Sequence, residues 1–325
     1  MDTVISDAEC EVGATIEQRI VVIGGTGFVG QHLLRSLVHC SKEFEIIFAV
    51  HRSEPSWLTE SSIQVKHFDL DDSASLEQIL NTGSIVLNLL RPDGTGWFLS
   101  AIKNVLRACS NARVKRYIHV SSIDVFGASQ DSICTSASQI VPITPYEREH
   151  AAAEKLVCAV NVECFETLIL RLGAVFGVGG LNVVSFVSEV SSAPGWKLAL
   201  RRSLYGARRM HLVSVEKVVE VLLFITTAAP IVQGEVIVVT EDADADNNFA
   251  YLQDCLLELF NRTEVLHMPY LPSRVLRLVL SARGISNTDP MRRFHEDRLM
   301  QLGFSDSALF SNRLKSYLSH LRAAV

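Results

Sequence analysis

A β-branched run followed by closely spaced glycines constrains the fold of this chain more than any other feature. The run Arg19–Ile23 precedes GGTGFVG (24–30) and then QHLLRSLVHC, where apolar residues recur at helical spacing. This order predicts a strand, a tight turn and a helix. Glycines permit the turn and the close approach of a pyrophosphate, while the helix start offers free N–H groups and a positive dipole end. We therefore predict dinucleotide binding at Gly24, Gly27, Phe28, Val29 and Gly30.

Four more apolar runs predict further strands. They are EIIFAV (45–50), SIQVKHFDL (62–70), SIVLNLL (84–90) and RYIHVSS (116–122), with helical segments between several of them. Alternating strands and helices favour a parallel sheet that is covered on both faces and joined by right-handed crossovers. The predicted fold class is α/β, a doubly wound parallel (Rossmann) sheet with a smaller C-terminal substrate-binding domain.

Length and composition set the domain organisation and exclude several classes of partner. With 325 residues, 48% of them hydrophobic and 20% charged, the chain is long enough for a main domain and a smaller one. We expect a polar tail over 1–18, a dinucleotide-binding domain over 19–180 with later segments returning at about 205–240, and a mostly substrate-binding or cap region over 181–325. The net charge of -6 argues against nucleic acid and anionic membranes as partners.

Cysteine usage and hydropathy indicate the compartment. The seven cysteines have no metal-like spacing, so we interpret them as reduced thiols and predict no metal site. No run reaches the ~18 apolar residues of a membrane span, and the N-terminus lacks the pattern of a signal peptide. A cytoplasmic location is therefore expected.

The residues after the second predicted strand indicate which dinucleotide is bound. NAD-preferring sites place an acidic residue about 20 positions after the glycines, but this chain has AVHRS (49–53) there. Arg52 can pair bidentately with a 2′-phosphate and Ser53 can donate to it. NADP(H) is therefore favoured, with NAD(H) as the alternative. Asp69 and Leu70, after the third strand, are expected at the adenine edge.

Four further segments carry a family resemblance. They are HVSSIDVFG (119–127), RLGAVFGVGG (171–180), HLVSVEKVVEVLL (211–223) and LGFS (302–305). With GGTGFVG they resemble, in order, motifs of the extended short-chain dehydrogenase/reductase family, specifically its NAD-dependent epimerase/dehydratase branch, which acts largely on nucleotide sugars. The resemblance covers roughly residues 19 to 320 and implies a reductase or epimerase of a nucleotide-linked sugar or similar polyhydroxylated substrate. With the cofactor preference predicted above, we expect this enzyme to depend on NADP(H).

The resemblance also implies a catalytic serine, a tyrosine, and a lysine four residues beyond the tyrosine. The family spacing assigns the first two roles to Ser122 and Tyr146. The lysine position holds His150, which shares the helical face of Tyr146. Lys155, nine residues beyond the tyrosine, lies half a turn off that face.

Three interpretations of PYEREHAAAEK (145–155) remain open. In the first, Tyr146 is the acid/base, Ser122 orients the substrate oxygen, and His150 replaces the lysine as ribose anchor or proton relay. In the second, the fold binds the cofactor but acts as a sensor or scaffold without redox chemistry. In the third, the pocket performs an isomerisation or elimination in which the cofactor is structural.

Three arginines are candidates for substrate binding. In the family, an arginine just before the motif at 211–223 commonly contacts a nucleotide diphosphate, and Arg208 or Arg209 is close to that place. Arg91, in the loop after the fourth strand, is expected near the nicotinamide, where it can contact a phosphate or a carboxylate. The resemblance also implies a homodimer.

Overall fold

The computed structural model describes residues 18–40, 43–51, 58, 63–161, 163–227, 231–263, 265, 268–285 and 287–324. Its strands are β1 (Gln18–Ile23), β2 (Phe44–Val50), β3 (Gln64–His67), β4 (Ile85–Asn88), β5 (Arg116–Ser122), β6 (Ile133–Cys134), β7 (Glu166–Leu172), β8 (Ala174–Phe176), β9 (Leu212–Ser214), β10 (Glu235–Val239) and β11 (Arg293–Phe294). Its α-helices are α1 (Phe28–Leu37), α2 (Ser73–Glu77), α3 (Trp97–Ala112), α4 (Pro145–Cys158), α5 (Val184–Ser192), α6 (Gly195–Tyr205), α7 (Val215–Thr227), α8 (Phe249–Leu259), α9 (Ser273–Ala282), α10 (Asp297–Gln301) and α11 (Phe310–Ala324).

Seven of these strands form one parallel sheet in the order β10-β7-β5-β4-β1-β2-β3. β1 lies between β2 and β4, and the chain order reverses at that point. In open α/β sheets, the carboxyl ends of the strands on either side of such a reversal border a ligand crevice. The predicted doubly wound α/β fold is confirmed.

The sheet is buried because its strands are nearly continuous apolar runs. The side chains of Ile20, Val21, Val22 and Ile23 in β1 are at most 1% exposed, and they alternate between two apolar layers. One layer packs the sheet against α1 and α7, and the other packs it against α2, α3 and α4. Burial on both faces is the arrangement that a parallel sheet requires.

Two parts of the sheet differ from the sequence prediction. The segment RLGAVFG (171–177) is divided between two sheets: β7 begins at Glu166 and stays in the main sheet, whereas β8 leaves it to pair with β9. The split follows Gly173, whose added Cβ would lie 2.5 Å from the His211 carbonyl oxygen. The edge strand β3 is shorter than the predicted 62–70, and the seventh strand, β10, has no counterpart among the individual strand predictions.

A separate apolar cluster joins the C-terminal helices. α5, α6, α8, α9 and α11 pack around Phe176, Phe249 and Leu256. This cluster lies where the sequence predicts a smaller substrate-binding region. In the described part of the chain no helix is long and apolar enough to cross a membrane.

Candidate active site

The glycine turn after β1 is shaped by close backbone contacts. Gly24 has φ +81°, and a Cβ there would lie 2.9 Å from the Leu89 carbonyl carbon. A Cβ on Gly30 would lie 2.5 Å from the Gly25 Cα. Gly27 precedes α1 without a capping side chain, and a Cβ there would approach only the Gly24 carbonyl oxygen, at 3.3 Å. Packing therefore explains Gly24 and Gly30, while Gly27 leaves the helix start open to a ligand.

Side chains in the first turns of α1 pack against neighbouring segments and hold the start of the helix in place. Phe28 packs on the glycine-rich loop 177–180, since a Cβ on Gly180 would lie 2.8 Å from its ring. His32, one turn later, lies with Nε2 2.9 Å from the Val178 carbonyl oxygen. Val29 packs against the apolar layer that lies between the sheet and helices α1 and α7. Their side chains thus fix the helix start, and their backbone N–H groups lie in the first turn of the helix.

A pocket of about 530 Å³ lies beside this turn, at the carboxyl ends of β1, β2 and β4. This volume lies within the usual range for ligand sites, and the position is the crevice expected from the strand order. The turn and the pocket together fit the pyrophosphate and one nucleoside of a dinucleotide. Polar and charged groups on its wall include Thr26, His51, Asp71, Asp93 and Thr95.

The pocket wall refines the predicted cofactor contacts. Leu70 lines the pocket, whereas the Asp69 carboxylate accepts a hydrogen bond from the Asp71 N–H at 3.0 Å. His51, directly after β2, occupies the end of the strand with its Nδ1 3.4 Å from the Leu70 nitrogen. The sequence prediction did not include His51, although it adjoins the predicted Arg52 in AVHRS. Arg52 and Ser53 lie outside the described residues.

The predicted catalytic serine and tyrosine come together at the end of β5. Ser122 is the last residue of β5, and its Oγ accepts a hydrogen bond from the Asp124 N–H at 3.1 Å. Tyr146 lies in the first turn of α4, which begins with a proline and a capping box between Thr144 and Glu147. The Ser122 hydroxyl is near enough to help stabilise the Tyr146 anion by hydrogen bonding.

Neighbouring groups shift the pKa of Tyr146 in opposite directions. Burial of the half-buried side chain raises the pKa of Tyr146, and the positive charge of Arg91 lowers it. The negative charge of Asp124 raises the pKa, and hydrogen bonding by Ser122 and Arg91 lowers it. The net shift is upward. Arg91 is thus the main group that draws the tyrosine towards its ionised form.

His150 lies on the same face of α4 as Tyr146 but points into the protein interior. Its side chain is 3% exposed, and its ring centre lies 4.6 Å from that of Tyr146 and 5.7 Å from that of Phe98. Neither ring nitrogen has a hydrogen-bond partner among the described residues. Burial and the charge of Arg91 lower the pKa of His150 to about 4, so the ring is neutral at neutral pH.

A second buried histidine lies behind the first. His119 on β5 is fully buried between the Tyr117 and Phe98 rings, and the Asn88 amide lies 3.4 Å from its Nδ1. Burial and the neighbouring His150 lower the pKa of His119 to about 3. The interior behind Tyr146 therefore resists positive charge. Lys155, by contrast, is exposed on α4, in agreement with its predicted position off the tyrosine face.

The three candidate substrate arginines have different surroundings. Arg91 is exposed, and its guanidinium carbon lies 5.5 Å from the Tyr146 ring centre. Arg208 is half-buried over the Tyr205 ring, and burial lowers its pKa. Arg209 is 6% exposed and donates from Nη1 to the Asp244 carbonyl oxygen at 2.6 Å. This contact gives Arg209 a structural task in holding the acidic turn at 242–248.

Comparisons with known proteins give a family match and several distant relatives. A family model described as the NAD dependent epimerase/dehydratase family matches residues 20–240. Sterol-4-alpha-carboxylate 3-dehydrogenase of Schizosaccharomyces pombe is 26% identical over 179 residues, which are 50% of this chain and 52% of that protein. Human dTDP-D-glucose 4,6-dehydratase is 29% identical over 181 residues, 49% of this chain and 52% of that protein. The chain thus matches about half the length of these curated relatives.

A solved structure extends the likeness over nearly the whole chain. The UDP-glucuronic acid 4-epimerase of Bacillus cereus, solved with UDP-glucuronic acid and NAD, superposes with a TM-score of 0.70. The superposition covers 94% of this chain and 100% of that one, at 16% identity. At this level of identity the likeness concerns the fold, including the C-terminal helical region beyond the match to the family model.

Proposed function

Because the chain belongs to the NAD-dependent epimerase/dehydratase family, we propose that it is an NADP(H)-dependent reductase or epimerase of a nucleotide-linked sugar or similar polyhydroxylated substrate. One observation carries the proposal: Ser122 at the end of β5 and Tyr146 at the start of α4 lie together, and the Tyr146 ring faces Arg91, the residue after the pocket-lining Leu90. A hydroxyl pair of this kind can bind a carbonyl or carbinol oxygen and move its proton.

The cofactor assignment rests on the glycine turn and on the end of β2. The turn leaves the start of α1 open to a pyrophosphate, and the pocket of about 530 Å³ adjoins it. β2 ends at Val50 and is followed by His51 and not by a carboxylate, so the residue best placed to bind a ribose diol is absent. His51 and Arg52 favour the 2′-phosphate of NADP(H). Asp71 and Asp93 on the pocket wall favour NAD(H) instead. Comparing NADPH and NADH binding in the wild type and in Arg52→Ala therefore tests the role of Arg52 directly.

The chemistry of the site divides between the two hydroxyls. When bound, a nicotinamide dinucleotide supplies or accepts a hydride at a carbon of the substrate. Ser122 donates a hydrogen bond to the oxygen on that carbon and holds it against Tyr146. The Tyr146 hydroxyl gives its proton to this oxygen during reduction and takes it back during oxidation.

Arg208 is a candidate for binding a charged group of the substrate. Arg208 is half-buried, and among the described residues it forms no ion pair. A guanidinium in this state suits a diphosphate, which it can bind through two hydrogen bonds. The Bacillus cereus epimerase was solved with a nucleotide sugar. We therefore assign Arg208 to the diphosphate of a nucleotide-linked substrate.

Released-ligand mass spectrometry and cofactor titration test this proposal. The freshly purified protein is denatured and every released small molecule is identified, and NADPH and NADH binding are then measured by calorimetry. Stoichiometric NADP(H), or tighter binding of NADPH that is lost in Arg52→Ala, supports the assignment. Equal loss of NADPH and NADH affinity in Arg52→Ala overturns the NADP(H) preference. Binding of neither dinucleotide overturns the proposed function.

The neutral His150 gives specific support to a second candidate. A site that has lost the lysine of the family motif, and holds a buried neutral ring in its place, fits a protein that binds the cofactor as a sensor or scaffold. A non-redox isomerase or lyase with a structural cofactor shares this feature. Cofactor binding without hydride transfer to any candidate nucleotide sugar distinguishes both from the reductase or epimerase.

A further inference from the structure

The position four residues after the tyrosine does not carry a positive charge in this protein. His150 fills that position, is 3% exposed, and meets the edges of the Tyr146 and Phe98 rings. Both of its nitrogens lack partners among the described residues. A ring in these surroundings stays neutral because charging it would leave a buried cation without a counterion or water. If Tyr146 has a fixed cationic neighbour, that neighbour must come from another element.

Arg91 comes from such an element. It follows β4, and the segment between them is held to the end of β1, next to the glycine turn: the Leu89 N–H donates to the Ile23 carbonyl oxygen at 2.9 Å. The Leu90 N–H donates to the Asn88 Oδ1 at 3.1 Å. The Asn88 Nδ2 in turn donates to the Tyr117 hydroxyl of β5 at 2.6 Å. The backbone that leads into Arg91 is therefore held to β1 and, through the Asn88 side chain, to β5.

The guanidinium of Arg91 faces the tyrosine. Its central carbon lies 5.5 Å from the centre of the Tyr146 ring, a distance at which a cation is attracted to an aromatic face. Within the described residues no carboxylate forms an ion pair with Arg91. The charge is thus not neutralised by a direct partner, and its nearest defined aromatic contact is Tyr146.

We propose that Arg91 is the cation that supports Tyr146, supplying from the end of β4 the fixed positive charge that the helix position of His150 does not hold. Arg91 acts through the tyrosine, so its role is that of a positioning residue. The catalytic consequence rests on the proposed function, whereas the electrostatic pairing does not.

Other charged groups also face Tyr146. Asp124 opposes Arg91, and His150 is neutral in the range where tyrosine titrates. Arg91 is exposed, so water screens its charge and reduces the effect below the value for a buried pair. We expect Arg91 to lower the pKa of Tyr146 relative to a neutral side chain at the same position.

An ultraviolet titration of tyrosinate in the cofactor-free protein tests the pairing. The chain has 6 tyrosines, so the signal of Tyr146 is isolated by subtracting a matched Tyr146→Phe protein. The subtraction is made for the wild type and for Arg91→Met, with the double variant as its reference. We expect the Tyr146 midpoint to rise by about one pH unit in Arg91→Met.

Two controls separate the effect of Arg91 from general effects of charge or folding. Arg148→Met removes an exposed positive charge two residues from Tyr146 on the same helix, and it is expected to move the midpoint by less than about 0.3 unit. Arg91→Lys keeps the charge and is expected to restore most of the shift. Circular dichroism over the same pH range limits the comparison to folded protein.

The outcomes are distinguishable from failure of the proposed function. A midpoint in Arg91→Met that rises no more than in Arg148→Met overturns the pairing, even if Tyr146 proves to be the acid/base. Turnover that survives in Tyr146→Phe overturns the proposed function, whatever the titration gives. A rise of about one unit that Arg91→Lys reverses supports the proposal.

Discussion

The two sides of Tyr146 differ in charge and in access to water. On one side, exposed Arg91 lies with its guanidinium carbon 5.5 Å from the ring centre, and exposed Asp124 also acts on the hydroxyl. On the other side, His150 and Phe98 form a packed interior that is at most 3% exposed. One side can hold an ion, and the other stabilises only neutral rings.

This difference shows where a charge can be placed around a tyrosine. A cation at the helix position four residues on would lose its hydration among Phe98 and His119. A cation at the end of β4 keeps its water and still reaches the ring. Moving the charge from the helix to the strand end therefore lowers the desolvation cost, although exposure also weakens the interaction.

Removing the hydroxyl between the two sides has the largest expected effect. Tyr146→Phe should reduce turnover of the identified substrate by roughly 100- to 10,000-fold, because proton transfer then lacks its donor. NADPH affinity should remain within about twofold, since the ring and its packing are retained. Steady-state kinetics and calorimetry on the same preparation measure both. Unchanged turnover would exclude Tyr146 as the acid/base.

A charged side chain at position 150 tests whether the interior beside Tyr146 can accept an ion. His150→Lys should lower the free energy of unfolding by about 3 kcal/mol at pH 7, because an ammonium replaces a ring that is 3% exposed. Urea denaturation measures the change, and His150→Gln serves as the uncharged control. If the two variants have equal stability, the interior behind Tyr146 accepts a cation and the contrast between the sides fails.

The pH dependence of stability sharpens the same contrast. The pKa of His150 is lowered from 6.5 to about 4 in the folded protein, so the unfolded chain binds its proton first as the pH falls. The contribution of His150 to the free energy of unfolding is therefore complete above pH ~6.5 and is lost as the pH falls towards 4. By pH 5 the loss is about 2 kcal/mol.

His150→Gln isolates that part of the pH dependence. Between pH 7 and pH 5 the unfolding free energy of His150→Gln should fall by about 2 kcal/mol less than that of the wild type. His119 remains in both proteins, so its similar contribution cancels in the comparison. Parallel pH profiles for the two proteins would mean that folding does not lower the pKa of His150.

Neutralising the charged side has the smallest expected effect. Arg91→Met should lower turnover at pH 7 about tenfold and move the basic limb of the pH–rate profile upward by about one unit. Arg91→Lys should recover most of both changes. Arg148→Met provides the matched loss of one positive charge from the exposed face of α4. A rate loss without a shift of the profile would indicate a substrate contact and not support of Tyr146.

Much of the fold could be predicted from contiguous segments. The strand, turn and helix around Gly24 and the four following strands depend on local periodicity and on where glycine is required. The departure of β8 from the sheet could not be predicted from local sequence. It depends on β9, which is distant in the chain and whose preceding residue packs against Gly173. The Ser122 and Tyr146 pair was predicted from the spacing of family motifs, and their roles stay predictions.

The arrangement around the tyrosine depended on packing. Helical geometry predicts that His150 shares a face with Tyr146, and their rings are indeed adjacent. It does not predict that the face turns inward against Phe98 from α3 and His119 from β5. Arg209 likewise fits the predicted arginine position, yet its carbonyl contact with the turn at 242–248 arises only in the folded chain.

The amino-acid sequence by itself determined the strand and helix pattern, the glycine turn and the family, because these depend on neighbouring residues and on the order of motifs. Only the tertiary structure decided which side of Tyr146 is charged. Arg91 and His150 stand 55 and 4 residues from Tyr146 in the chain, and the parallel sheet places β4 beside β5. Burial then makes the near residue neutral, and exposure lets the distant one keep its charge.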